Sequence, residues 1–348
     1  MAAKLKNKKN ILDDIQEEKL FSLKICDLPV AIEGTWLWEC VQQLYKELED
    51  KRIAFKPVCY LADEWLTPEG ETCIGIPFYL AHPALTKLEK KMMLEAEGET
   101  KAWCMKLLRH EAGHAICYAY RLNKKRKWKE IFGSSSKEYA DTYKFRPYSK
   151  NYVRHLDGFY AQYHPDEDFV ETFAVWLTPE INWQERYQGW KALKKLQYVD
   201  HIMQGIQGKE PSNKSAKKYW YFKKIKVALK KFYDKKTFLR AEDFPHFHDG
   251  NLKKIFSERD EESKGLSSAV DILRKYRQGI IKDIAVWTGE KKYVIHGVFK
   301  DIYKRCKALR LVAKEPEAHL VMRISVYITT LVMNYLYTGW YRGYKKKK

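Results

Sequence analysis

No C-x-x-C pair occurs in this chain, and its seven cysteines, Cys26, Cys40, Cys59, Cys73, Cys104, Cys117 and Cys306, are odd in number and scattered. That pattern argues against a disulfide framework or a Cys-rich zinc site and suits a reducing compartment. No apolar stretch follows the basic start Met1–Asn10, so no secretory signal is expected. The most apolar late segment, Ile324–Tyr337, is too short to span a bilayer and has Arg323 at its edge, so it reads as a buried core helix. Internal repeats are missing, as is any low-complexity tract beyond Lys345–Lys348. The expectation is a cytoplasmic protein without a membrane span.

Acidic residues are in short supply. Lys and Arg number 65 against 45 Asp and Glu, a net charge of +20. Such a balance favours anionic partners: nucleic acid, acidic membrane surfaces or acidic substrates. The charge is spread along the chain, so a solvated basic surface is the simpler account. Apolar residues make up 45% and aromatics 14%, which is globular composition with material for aromatic-lined cores or clefts.

Residues 1–20 read as a basic, then acidic, arm, and Phe21–Val30 has strand-like content. The helical spacing of Trp36, Trp38, Val41, Leu44, Tyr45 and Leu48 predicts an amphipathic helix over Thr35–Lys51. Strands are expected at Ile53–Leu61 and Cys73–Leu80. Pro77 in the second suits a sheet edge, where an extended peptide could pair with free main-chain groups. Helices are expected at Ala84–Glu97 and at about Glu99–Arg121, the latter ended by Asn123 and Lys124–Lys127. Lys129–Arg154 reads as a long loop, a length that is usually functional or disordered. Pro165, an acidic first turn and Thr178-Pro179 then delimit another helix. The best linker candidate is Ile202–Ser215. Beyond it the chain is helical in period and basic, with Lys217-Lys218, Lys223-Lys224, Lys230-Lys231 and Lys235-Lys236. Domains are accordingly expected at 21–205 and 206–348, the second packing on or near the first.

The chemistry centres on His110-Glu111-Ala112-Gly113-His114, an H-E-x-x-H pentapeptide inside an apolar run. On a helix, positions i and i+4 share one face. His110 and His114 can therefore offer two ring nitrogens to one metal, with Glu111 placed to serve as a base beside it. A catalytic zinc site takes a third protein ligand and leaves one position open. The metzincin extension would need Gly at 117 and His at 120, but Cys117 and Tyr120 stand there. Cys117 reads as a buried thiol. A carboxylate on the second helix is the other common solution, and Glu167, Asp168 and Glu171 are the candidates. The first two lie in the first turn, where the helix dipole alone accounts for acids. Glu171 sits deeper, among Phe169, Val170, Phe173 and Ala174, where an unpaired charge is costly, and is the favoured ligand.

These residues carry a resemblance. His110-Glu111-Ala112-Gly113-His114, followed after a long insert by Glu167-Asp168-Phe169-Val170-Glu171-Thr172-Phe173-Ala174, resembles gluzincin-type metallopeptidases, and more closely a group of bacterial zinc-binding metallopeptidases. Asp63-Glu64-Trp65 and Ile74–Pro83 are similar to that group as well. The resemblance covers roughly Ile53–Leu177. It implies an α+β fold: a zincin-like domain with a small mixed sheet and an HExxH helix, followed by a mostly helical C-terminal region. It also implies Zn2+ held by His110, His114 and Glu171, with Glu111 catalytic and peptides or proteins as substrates. One departure stands out. Small gluzincins often read Glu-x-x-Ala-Asp, whereas Val175 follows Ala174 here, so another acceptor must orient a ligating histidine. Glu167 or Asp168 is available for that.

In the mechanism so implied, zinc activates a water, Glu111 takes its proton and passes it to the leaving amine, and a further donor steadies the oxyanion. Tyr152, His155, Tyr160, Tyr163 and His164 form the pool for that donor, with His155 and Tyr163 favoured. His246 and His248 beside Asp249 lack a matching pair elsewhere and carry little weight as a second metal site. The alternative function is an inert zincin-like scaffold that binds an anionic partner, such as nucleic acid, through its basic C-terminal region.

Overall fold

The structure is a computed structural model and describes residues 11–139, 146, 148–238, 248–263 and 265–338. Its described residues are mostly helical, with one small sheet, an α+β composition. They fall into two compact units. The first takes the described parts of 1–92, 96–140 and 145–235; the second takes those of 93–95 and 236–348.

In the first unit, α1 (Trp36–Asp50) begins where the Thr35 hydroxyl accepts the Leu37 N–H. It buries Leu37, Cys40, Val41, Leu44 and Leu48 on one face, as its spacing predicts. Two short strands, β1 (Val58–Ala62) and β2 (Cys73–Pro77), pair in parallel, with Val58 opposite Cys73 and Ala62 opposite Pro77. Both are shorter than expected. Pro77 is the last strand residue, and the chain turns at once into a 3-10 helix, Phe78–Ala81. The far side of β2 is met at Gly75, which exchanges both backbone hydrogen bonds with Leu66. The turn 63–70 thus lies against the sheet, and the Thr67 hydroxyl donates to the Glu111 carbonyl at 3.0 Å.

Next come α2 (Pro83–Met93) and α3 (Lys101–Ala119). Thr100 caps α3 through the Trp103 N–H, and Arg121, in the left-handed region at φ +49°, ends the run. A short helix, α4 (Arg126–Phe132), occupies the start of the segment expected as loop, because Trp128 and Phe132 pack against Phe169. Helix α5 (Pro165–Leu177) is buried along nearly its whole length, and α6 (Ala192–Gln204) packs beside it. A helix buried all round must satisfy its polar side chains internally.

The stretch read as a linker is tied down instead. Asn213 N–H donates to the Ala119 carbonyl and its side chain to that of Gly70; Ser215 Oγ and Lys217 N–H both donate to Glu71 Oε2. Each contact is polar and long-range, so hydrophobic periodicity carries no trace of them. Phe21–Val30, read as strand-like, forms helical turns with one isolated bridge, Lys24 to Ala228.

In the second unit, α7 (Asp249–Ile255) accompanies three longer helices: α8 (Ala269–Thr288), α9 (Lys292–Ala308) and α10 (Glu317–Thr338). Ile272, Leu273, Ile280, Ile295, Phe299, Ile302, Ile324 and Ile328 interleave in one apolar core. Ile324–Val332 is accordingly core helix, as its composition predicts. No helix among the described residues is long and apolar enough to cross a membrane.

Candidate metal centre

Three features set α3 and α5 against each other. Gly113, inside the pentapeptide, faces Val170 and Phe173. A Cβ there would come within 2.9 Å of the Val170 side chain, so only glycine lets the helices approach this closely. Arg109, one residue before the first histidine, reaches Glu47 of α1 through Nε at 2.8 Å and Nη2 at 2.7 Å. Both partners are buried, and the two-pronged bond fixes the rotation of α3 about its axis. At the other helix, His164 caps α5: its Nδ1 accepts the Asp166 N–H at 3.1 Å.

Between the helices His110, His114 and Glu167 converge. Glu167 Oε2 lies 3.2 Å from His110 Nε2 and 3.5 Å from His114 Nε2. All three ligand atoms fall within 4.8 Å of one another, the one such group among the described residues. Bonds of about 2.1 Å in a tetrahedral arrangement would set ligand atoms about 3.4 Å apart, so these separations fit a zinc-sized ion. Glu167 Oε2 is buried without a hydrogen-bond partner. His110 Nδ1 sits 2.8 Å from Glu171 Oε1. A neutral His110 that donates from Nδ1 presents a lone pair at Nε2, facing the lone pairs of Glu167. That juxtaposition calls for a positive charge between them.

The electrostatics agree. Burial works against the His110 imidazolium, yet Glu167 and Glu171 hold its pKa well above the ordinary histidine value. Burial likewise opposes charge on His114, and Glu167 raises its pKa. Burial disfavours the Glu167 carboxylate, but His114 and His110 hold it well below the usual range. The cluster attracts a cation, whether as protons or as a metal ion. Glu111 is also buried, and burial raises its carboxyl pKa against the pull of the two histidines.

The expectation for the third ligand therefore meets a different arrangement. Glu171, the residue favoured from the sequence, is on the outer side of His110: Oε1 faces Nδ1, and Oε2 accepts the Leu156 N–H at 2.9 Å. Its burial is real, and two donors account for it. Glu167, set aside as a dipole acid, faces the open side of both imidazoles. Asp168 is turned away and pairs with Lys195 Nζ at 2.6 Å. The spacing held the missed signal, because Glu167 and Glu171 repeat the i,i+4 relation of His110 and His114 on the facing helix.

The oxyanion candidates are spread more widely. His155 is buried, with Nε2 2.9 Å from the Lys106 carbonyl of α3, and burial lowers its pKa. Tyr160 lies next to His110, ring centroids 5.5 Å apart. Tyr163 is one ring farther out, against Tyr160 at 5.8 Å and Tyr139 at 5.4 Å. Tyr118 stacks on His114. Tyr139, absent from the sequence candidates, donates its hydroxyl to Glu167 Oε1 at 2.9 Å.

Elsewhere, Asp249 pairs with Arg305 through both oxygens, and His248 Nδ1 meets the Tyr327 hydroxyl at 2.9 Å; His246 lies outside the described residues. Among the Lys-rich segments, Phe222 and Tyr233 are buried whereas Tyr219, Trp220 and the lysines 217, 218, 223, 224, 230 and 231 are exposed.

No curated protein and no solved structure gives a significant match to the chain. Residues 81–188, the stretch that holds both histidines and all three acids of this centre, match the model of the family described as "Putative zinc-binding metallo-peptidase".

Proposed function

We propose that this protein is a zinc-dependent metallopeptidase that hydrolyses peptide bonds, with His110, His114 and Glu167 as metal ligands and Glu111 as general base. The observation that carries the reading is Glu167 Oε2, buried, unpartnered by any hydrogen bond and aimed at two imidazole nitrogens. The family match over residues 81–188 supports the reaction class.

Zinc held there would supply Lewis acidity, acidifying a water and polarising the scissile carbonyl. The protein's own groups do the rest. Glu171 keeps His110 in the tautomer with its proton on Nδ1, leaving Nε2 as the ligating atom. The Leu156 N–H holds Glu171 in turn. Glu111 is buried on the same helix, and burial raises its carboxyl pKa, which makes it a stronger base than an ordinary carboxylate, able to take a proton and return it to the leaving amine. The wall of tyrosines places Tyr160 nearest His110, with Tyr163 one ring farther out as a further donor to a developing oxyanion, whereas the Nε2 proton of His155 goes to the Lys106 carbonyl.

Zinc content by mass spectrometry, followed by hydrolysis of a peptide library with and without chelator, tests the reading. One zinc per chain and chelator-sensitive cleavage are expected. Zinc without cleavage would leave an inert scaffold whose basic surface binds an anionic partner. In that case binding should fall steeply between about 50 and 200 mM salt.

A further inference from the structure

We propose that Tyr139 is a positioning residue for Glu167, and that the insert between α3 and α5 delivers its hydroxyl to the metal centre. The inference rests on the reading of His110, His114 and Glu167 as a metal site. The two oxygens of Glu167 are divided. Oε2 faces both histidines and has no hydrogen-bond partner, while Oε1 accepts the Tyr139 hydroxyl at 2.9 Å. The terminal torsion of a glutamate is broad and nearly two-fold, so a carboxylate bound on neither side can turn or swing. A hydrogen bond to one oxygen fixes which oxygen is presented, and its plane.

The delivery of Tyr139 is itself built. Its ring lies nearly parallel to that of His164, centroids 3.8 Å apart and planes 17° from each other. His164 accepts the Asp166 N–H at Nδ1, so its proton is on Nε2, which donates to the Lys137 carbonyl at 2.7 Å. One imidazole thus ties residues 137 and 139 of the insert to the first turn of α5, three residues before Glu167. Tyr163 packs edge-on against the Tyr139 ring, centroids 5.4 Å apart. Tyr139 is nevertheless 49% exposed, so its ring contributes less buried surface than a core tyrosine would. A residue required only for packing would not be held so openly with its polar end on a buried carboxylate.

Partners that orient a metal ligand change metal affinity or activity by about 10–100-fold when removed. The test uses full-length protein, wild type beside Tyr139→Phe, with Tyr148→Phe as control. Tyr148 belongs to the same insert and is 93% exposed. Zinc affinity is read by competition with a chromophoric chelator, ligand geometry by the visible spectrum of the cobalt-substituted protein. Tyr139→Phe keeps the ring stack and is expected to bind one metal about 10–100-fold more weakly, with an altered cobalt spectrum and an unchanged melting temperature of the metal-free protein. Tyr148→Phe should match wild type in all three. Wild-type affinity and spectrum in Tyr139→Phe would overturn the proposal and leave the metal site standing. Failure of the wild type to take up metal would overturn both.

Discussion

Both units bury an apolar core, but only the first also buries charged side chains among the described residues. Around α3 and α5 the interior holds His110, Glu111, Glu167, Asp168, Glu171 and the Arg109–Glu47 pair. In the second unit the buried residues among those described are apolar apart from Ser263 and Thr288. Burying charge is costly unless it is paired or ligated, so a domain that only needs to fold does what the second unit does. The first unit accepts that cost most densely between α3 and α5; Glu71 and Glu89 are buried elsewhere, each with hydrogen bonds to answer it. Between the two helices Asp168 pairs with Lys195 through one oxygen only, and Glu167 Oε2, Asp166 Oδ1 and Asp168 Oδ1 are buried without a hydrogen-bond partner. Concentrated, incompletely satisfied charge marks the site more sharply than any single motif residue.

The contrast breaks most visibly at Glu111. Glu111→Gln keeps size and fold but removes the base, so turnover should drop by about 10²–10⁴-fold with one zinc retained and little change in KM. Steady-state kinetics with metal analysis checks this. Undiminished chelator-sensitive hydrolysis would assign water activation to another group. Next in size come core substitutions on either side. Ile302→Ala, in the apolar core, should cost about 2–5 kcal/mol in chemical denaturation and leave zinc affinity untouched. Gly113→Ala should cost about 1–3 kcal/mol and weaken zinc binding as well, because the new Cβ pushes Val170 and the whole of α5 away. If Gly113→Ala changed stability alone, the helix approach would not be what brings Glu167 into reach.

How much of this was legible in the chain depended on the range of the interaction. The amphipathic spacing of α1, the Pro165 start of α5 and the apolar helix around Ile324 are local patterns, and the structure contains them with shifted ends. The two histidines followed from an i,i+4 rule within one helix. Assigning the acids required knowing which face of α5 meets α3, and that is set by Gly113, a packing constraint between elements. The burial of Glu171 is readable from its apolar neighbours; its contacts with His110 and the Leu156 N–H are not. Tyr139 lies in an insert without periodicity, and only the stack on His164 reveals its place. The polar ties of Asn213 and Ser215 were invisible for the same reason.

Smaller effects sharpen the comparison by pH. In the second unit burial pushes His248 down to about 4 from an ordinary 6.5. Its neutral form is favoured in the folded state, so its contribution is fully present above about 6.5 and is lost as pH falls towards 4. Denaturation of the protein between those pH values should show the decline, and His248→Gln should flatten it. A slope unchanged in His248→Gln would locate the acid sensitivity elsewhere.

The most direct test is the zinc content of Glu167→Ala against Glu171→Gln, measured by mass spectrometry after equilibration with a competing chelator. With Glu167 as ligand and Glu171 as the group that orients His110, Glu167→Ala should emerge without zinc. Glu171→Gln should keep one zinc per chain, held about 10–100-fold more weakly than in the wild type. Zinc at wild-type affinity in Glu167→Ala, with loss in Glu171→Gln, would contradict this division of roles and return Glu171 to the metal.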